Sequence, residues 1–137
     1  MTERHVLGTG IDLVENDRMQ SVLGKWDDLF KNRVFLPPEQ MYCDGKACPS
    51  RHYAGRFAVK EAVSKAFGTG LGASLGLLDI EVIKDAVSGA PSVQLRNKGA
   101  ALAASRGVTE VMVSLSHTRN YAVAQALLLG PGPGEGE

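Results

Sequence analysis

The sequence predicts an α+β domain with an antiparallel sheet packed on a long central helix, on three observations. Residues 51–67 carry a helical-period apolar arc, the segments near both ends alternate apolar and polar residues, and glycine-containing turns separate them. On the central helix Ala58, Val59, Ala62, Val63, Ala66 and Phe67 fall on one side. Arg56, Lys60, Glu61, Ser64 and Lys65 fall on the other, giving an amphipathic helix.

The elements follow in order. His5 to Leu13 predicts a strand interrupted by Gly8 and Gly10, where a missing side chain allows close approach of another backbone or a ligand, with Asp12 at its far end. Asn16 is the expected N-cap of a helix reaching Gly24, and a second helix is expected from Trp26 to Phe35. Pro37-Pro38 breaks the chain before a short helix, Glu39 to Cys43, and a polar loop, Asp44 to Ser50. The long helix is stopped by Gly68 in the left-handed position that a C-cap requires. Leu78, Ile80 and Val82, then Val93 and Leu95, alternate around the turn Ser88-Gly89-Ala90-Pro91 and predict a hairpin. Asn97 opens a helix to Ser105, and strands follow over Val111 to His117 and Tyr121 to Leu129. Residues 130–137 have no apolar side chain to bury and predict a disordered tail, which leaves 1–129 as one domain.

Composition narrows the function. The 137 residues include 15 basic and 15 acidic side chains, so no global field draws the chain to nucleic acid. No run approaches the ~18 apolar residues needed to span a membrane. The N-terminus lacks the apolar stretch and cleavage site of a secretory signal, so cytoplasm is the expected compartment. Cys43 and Cys48, the only cysteines, match no zinc spacing. From Lys46 to Lys65, five cations face only Glu61, a pattern suited to a local polyanion.

Three motifs carry the chemistry: Gly10-Ile11-Asp12 with Arg18 six residues on, Phe57 to Gly70 with Lys60-Glu61 and Lys65 inside it, and Ser114-Leu115-Ser116-His117. Together they resemble the holo-acyl-carrier-protein synthases, the small group of 4′-phosphopantetheinyl transferases. That group's pattern reads G-x-D, then F-x-x-K-E-A-x-x-K-A-x-G-x-G, then S-x-S-H. The resemblance spans about residues 6 to 129, and Leu36-Pro37-Pro38-Glu39, Tyr42-Cys43 and Ala54-Gly55-Arg56 also fit it.

The resemblance implies transfer of the 4′-phosphopantetheine arm of coenzyme A to a serine of an apo acyl carrier protein, releasing adenosine 3′,5′-bisphosphate. It implies Mg²⁺, with Mn²⁺ as a possible substitute, held by Asp12 and Glu61. The chemistry suits that assignment, because magnesium takes one or two carboxylates and completes its octahedron with phosphate oxygens and water. Lys65 would neutralise the leaving phosphate. The serine proton would pass to Glu61 directly or through a metal-bound water, two routes the sequence leaves open. Arg56, Lys60, Ser64, Gly68, Gly70, Pro91, Ser116, His117 and Thr118 are the implied coenzyme A contacts. Arg18, with Met19 and Val22 beside it, is the implied carrier-protein docking site. One departure stands out: the hairpin turn of that family carries a basic residue between Gly and Pro, whereas this chain has Ala90.

The resemblance also implies a homotrimer with active sites between subunits. The rival readings are a coenzyme A or nucleotide binding module without catalysis, an interaction domain that recruits carrier proteins through Arg18, and a magnesium phosphohydrolase. Each leaves at least one of the three motifs unexplained.

Overall fold

The structure is a computed structural model that describes residues 3–68 and 75–132. The order is β1 (Arg4–Glu15), α1 (Asn16–Val34), α2 (Pro37–Asp44), α3 (Pro49–Phe67), a 3₁₀ turn (Leu77–Asp79), β2 (Ile80–Lys84), β3 (Pro91–Leu95), α4 (Asn97–Ser105), β4 (Glu110–His117) and β5 (Tyr121–Pro131). The strands form two antiparallel sheets where the sequence predicted one: β1-β5-β4, and the hairpin β2-β3.

Strand register decides which residues meet α3. Gly8, Gly10, Asp12 and Val14 of β1 lie opposite Leu128, Ala126, Ala124 and Ala122 of β5, which lie opposite Val111, Val113, Leu115 and His117 of β4. This is the inner face, and the buried alanines and Leu128 of β5 belong to the core with Val59, Ala62, Val63 and Ala66 of α3. The glycines are there for distance. A Cβ on Gly10 would overlap the Ala62 carbonyl oxygen, and one on Gly8 would overlap that of Ala66. Helix and strand therefore touch backbone to backbone, and Asp12 is the first inward residue past the glycines with a side chain to offer. Gly55 does the same for β4, because a Cβ there would come within 2.6 Å of the His117 ring.

Several expectations are corrected. Glu15, not Asn16, is the N-cap of α1. The Asn16 side chain instead donates to the carbonyls of Thr118 and Arg119, tying the helix start to the β4–β5 turn. Helix α1 does not end at Gly24. Its break falls at Asp27 (φ 40°, ψ −118°), a positive-φ conformation outside the left-handed helical region that residues other than glycine rarely adopt. Strand β5 runs past Leu129, with Gly130 and Pro131 paired to His5 and Arg4, so the chain leaves the sheet later than the composition of its end suggested. The last five residues lie outside those described.

Helix α3 keeps its predicted apolar arc, and Gly68 closes it at φ 73°. It is not amphipathic, however, since Arg56, Lys60 and Ser64 are buried too. A second layer, α2 and β2, covers that side and is held by Glu39, which the sequence did not single out. One Glu39 oxygen accepts from the Leu36 amide and Lys60 Nζ, both at 2.7 Å, and the other accepts from the Val82 amide at 2.8 Å. The Leu36 bond makes Glu39 the cap of α2 as well as the counter-ion of α3.

Candidate active site

Asp12, Glu61 and Lys65 come together where β1 crosses α3. Lys65 Nζ donates to Asp12 Oδ1 at 2.9 Å and to the Ile11 carbonyl at 3.1 Å. Glu61 is half-buried, and its carboxyl is raised by burial first and then by the Asp12 charge, with Lys65 opposing both. Asp12 and Glu61 open on a cleft of about 460 Å³ between β1, α1 and α3, lined also by Arg18, Met19, Val22 and Phe57. The implied docking residues thus share a cleft with the carboxylates.

The donor set suits a magnesium ion. Burial and the Asp12 charge both disfavour the ionised Glu61 carboxyl beside an open cleft, and a divalent cation would favour it. Among the described residues no group of three His, Cys, Asp or Glu side chains gathers, so Asp12 and Glu61 alone would hold the ion from the protein side, leaving most positions to phosphate and water.

A second locus lies around the Tyr42 ring at the other end of α3. The Arg56 guanidinium lies 3.8 Å from the ring centre, Lys46 Nζ 4.6 Å and Lys84 Nζ 5.6 Å. Burial raises the Tyr42 hydroxyl, but a hydrogen bond with Lys84 and the charges of Arg56, Lys84 and Lys46 outweigh it and leave it lowered. Two adjoining cavities of about 360 and 210 Å³ share Tyr42, Arg56 and Lys84, and Pro91 and His117 line the smaller one.

The remaining expected contacts divide. Gly68 caps α3, and Thr118 organises the β4–β5 turn, its hydroxyl accepting from the Tyr121 amide at 3.0 Å. Gly70 lies outside the described residues. Lys60 is 0% exposed, and its amine donates to Glu39, the Leu77 carbonyl and the Ile80 carbonyl, so it is a structural cation rather than a ligand contact. Ser64 faces the core. Ser116 lies opposite Val123 on the outer face of the sheet, while His117 lies opposite Ala122 on the inner face, so the two do not share a site within one chain. Met19 is 4% exposed and forms the cleft wall rather than a surface contact, whereas Arg18 is exposed.

Sequence reasoning missed Lys84, His52 and the role of Tyr42. The signals were present: counting back from the Gly89-Ala90-Pro91 turn pairs Lys84 with Pro91, and His52 precedes Arg56 by one helical turn. Lys84 therefore brings a cation to the turn where Ala90 supplies none.

A helix with paired carboxylate and lysine against a glycine-spaced strand, beside a cationic pocket, suits a transferase of phosphate-bearing groups. The 4′-phosphopantetheinyl transferase superfamily model matches residues 8–126, and the chain belongs to that superfamily. Within it the similarity is to holo-[acyl-carrier-protein] synthases. That of Syntrophus aciditrophicus is 47% identical over 125 residues, covering 91% of this chain and 97% of the relative, and that of Protochlamydia amoebophila is 42% identical over 121 residues, covering 88% and 96%. The crystal structure of the Neisseria meningitidis synthase matches with a TM-score of 0.84 at 27% identity, covering 90% of this chain and 98% of that one. The Helicobacter pylori synthase in complex with coenzyme A matches with a TM-score of 0.78 at 31% identity, covering 88% and 98%.

Proposed function

We propose that this chain transfers the 4′-phosphopantetheine group of coenzyme A to a serine of an apo acyl carrier protein. The observation that carries the reading is the meeting of Asp12 and Glu61 in a cleft lined also by Arg18, with Lys65 bonded to Asp12 beside it. The serine oxygen forms a bond to the phosphorus bearing the pantetheine arm, and the bond from that phosphorus to the adenosine 3′,5′-bisphosphate breaks. Such transfer needs positioning and charge neutralisation more than covalent help. A magnesium ion held by Asp12 and Glu61 would polarise the diphosphate. Glu61 would take the serine proton directly or through a metal-bound water. Lys65 supplies positive charge for the leaving phosphate, and Arg56 with the Tyr42 cluster holds the nucleotide end. Arg18 meets acidic side chains of the carrier protein, with Val22 as its apolar neighbour.

A homotrimer is part of this reading. Ile11 and Leu13, 63% and 61% exposed, share the outer sheet face with Met112, Val123 and Leu127, an apolar surface that a second copy would cover. The number three comes from the family resemblance. Among the described residues no helix is long and apolar enough to cross a membrane, and the free cysteines suit the cytoplasm proposed here.

Intact-mass measurement of an apo acyl carrier protein, incubated with the chain and coenzyme A, tests the function. A phosphopantetheine mass gain with Mg²⁺, lost on chelation, is the expected result. No gain across several apo carriers overturns it.

A further inference from the structure

Helix α1 is held unevenly along its length. After its break at Asp27, the Phe30 ring packs against those of Phe35 and Phe57, with centres 6.1 and 6.2 Å away, and Lys31 Nζ reaches Asp44 at 3.3 Å. Before the break, only Asn16 and Met19 are buried. That stretch, residues 16–26, carries Arg18 and Val22 and walls the cleft on which Asp12 and Glu61 open. Its N-cap residue, Glu15, makes no side-chain cap bond.

Asn16 fastens the start of the helix. Its main-chain amide donates to the Asn120 carbonyl at 2.8 Å, and its side-chain Nδ2 donates to the Arg119 carbonyl at 3.0 Å and the Thr118 carbonyl at 3.3 Å. Three consecutive carbonyls of the β4–β5 turn thus face one residue. The turn is closed without it: the Thr118 amide donates to the Tyr121 carbonyl at 2.8 Å, and the Tyr121 amide donates to the Thr118 hydroxyl at 3.0 Å. The turn is therefore the fixed end of this tether, and the helix is the end that is placed. The acceptor half of the side chain argues the same way. Asn16 is 6% exposed, and its Oδ1 has no hydrogen-bond partner among the described residues. An acceptor buried unpaired costs stability, and an apolar side chain of similar size would avoid that cost. What the amide supplies instead is a donor aimed at the turn.

Arg18 follows two residues later, roughly 200° round the helix, so the buried amide and the exposed guanidinium lie on opposite sides of one turn. On the transfer reading above, Arg18 receives the carrier protein. We propose that Asn16 is a positioning residue for that partner: its tether to the β4–β5 turn sets the first turn of α1, and with it Arg18, where a docked carrier presents its serine to Asp12 and Glu61. Small shifts count, because a misplacement of about 1 Å can cost about 10²-fold in rate.

Asn16→Leu tests this, since it removes the side-chain donor and the unpaired acceptor together. The thermal midpoint should stay close to that of the parent. Hydrogen exchange should quicken across residues 16–26 and stay unchanged at the Tyr121 amide, on the fixed end. In steady-state transfer with Mg²⁺ and saturating coenzyme A, the KM for the apo carrier protein should rise about five- to tenfold while coenzyme A affinity holds. Combined with Arg18→Ala, Asn16→Leu should raise the KM no further, because both act through the same side chain. Unchanged exchange in residues 16–26, an unchanged carrier KM, or an effect that simply adds to that of Arg18→Ala overturns the proposal. A fall in thermal midpoint with unaltered kinetics of the folded fraction does so too, and makes Asn16 a stability residue. If the leucine prevents folding, Asn16→Ala removes the same donor with a smaller side chain and is read in the same way. Transfer by the parent with the variant's carrier KM unchanged leaves the reaction standing without the positioning role. A parent chain that transfers to no carrier, with the exchange pattern as expected, overturns the reaction and leaves the tether.

Discussion

Glu61 and Lys60 are neighbours on α3 with opposite duties. Glu61 is an acid held against its own charge: its folded-state pKa lies above the ordinary 4.5 through burial and Asp12. In metal-free protein the unfolded chain ionises first, so stability falls as the pH rises from 4.5 through the raised value. Glu61→Gln should abolish transfer while leaving the fold intact. The stability difference between variant and parent, from urea unfolding in chelator, should shift in favour of the variant between pH 4 and pH 7. Full activity in Glu61→Gln would remove the metal assignment. Lys60 is a cation that burial pulls down and Glu39 holds up. Lys60→Met strands the Glu39 carboxylate and should cost roughly 3–5 kcal/mol of unfolding free energy. Coenzyme A affinity of the folded fraction should stay unchanged, and a large loss of affinity without loss of stability would restore Lys60 as a ligand contact.

At the scale of elements, the site depends on how closely β1 lies on α3. Gly10→Ala places a methyl on the Ala62 carbonyl, backbone against backbone, where no rotamer change relieves it. It should lower stability by about 1–3 kcal/mol or more and reduce transfer further than that loss explains, because Asp12 rides on the displaced strand. Thermal unfolding with single-turnover transfer rates checks both; transfer at the parent rate would show that Asp12 tolerates the shift. The hairpin β2-β3 has a parallel role, since its register sets Lys84 opposite Pro91 and within reach of the Tyr42 hydroxyl. The residues legible in the sequence were those packed into one motif. Glu61 and Lys65 sit one helical turn apart, and Asp12 follows its glycines directly. The Tyr42 pocket draws on α2, α3, β2 and β4, and no local spacing reveals such a set.

For the molecule as a whole, the outer sheet face and the Arg18 rim are the surfaces to test. Light scattering across a dilution series should give three times the chain mass, and Leu13→Lys, aimed at the outer face, should shift it towards the monomer. A monomer in the parent chain would remove the trimer. Transfer to the carrier should slow with added salt, because a rim of exposed charge is screened beyond about 8–10 Å.

By itself, the sequence determined the α+β class, the span of α3 and its glycine stop, the hairpin, and the carboxylate–lysine motif, since all of these rest on period, caps and short spacing. It also named residues that the fold employs otherwise. Lys60 and Ser64 read as polar-face residues until a second layer covered that face, and Ser116 and His117 read as one motif until strand alternation sent them to opposite faces. Only the tertiary structure decided which cations line an open pocket and which are buried as struts. Helix periodicity gives a residue's direction around its own axis, while its neighbour in that direction comes from elements far along the chain, as Asp12, 53 residues away, does for Lys65.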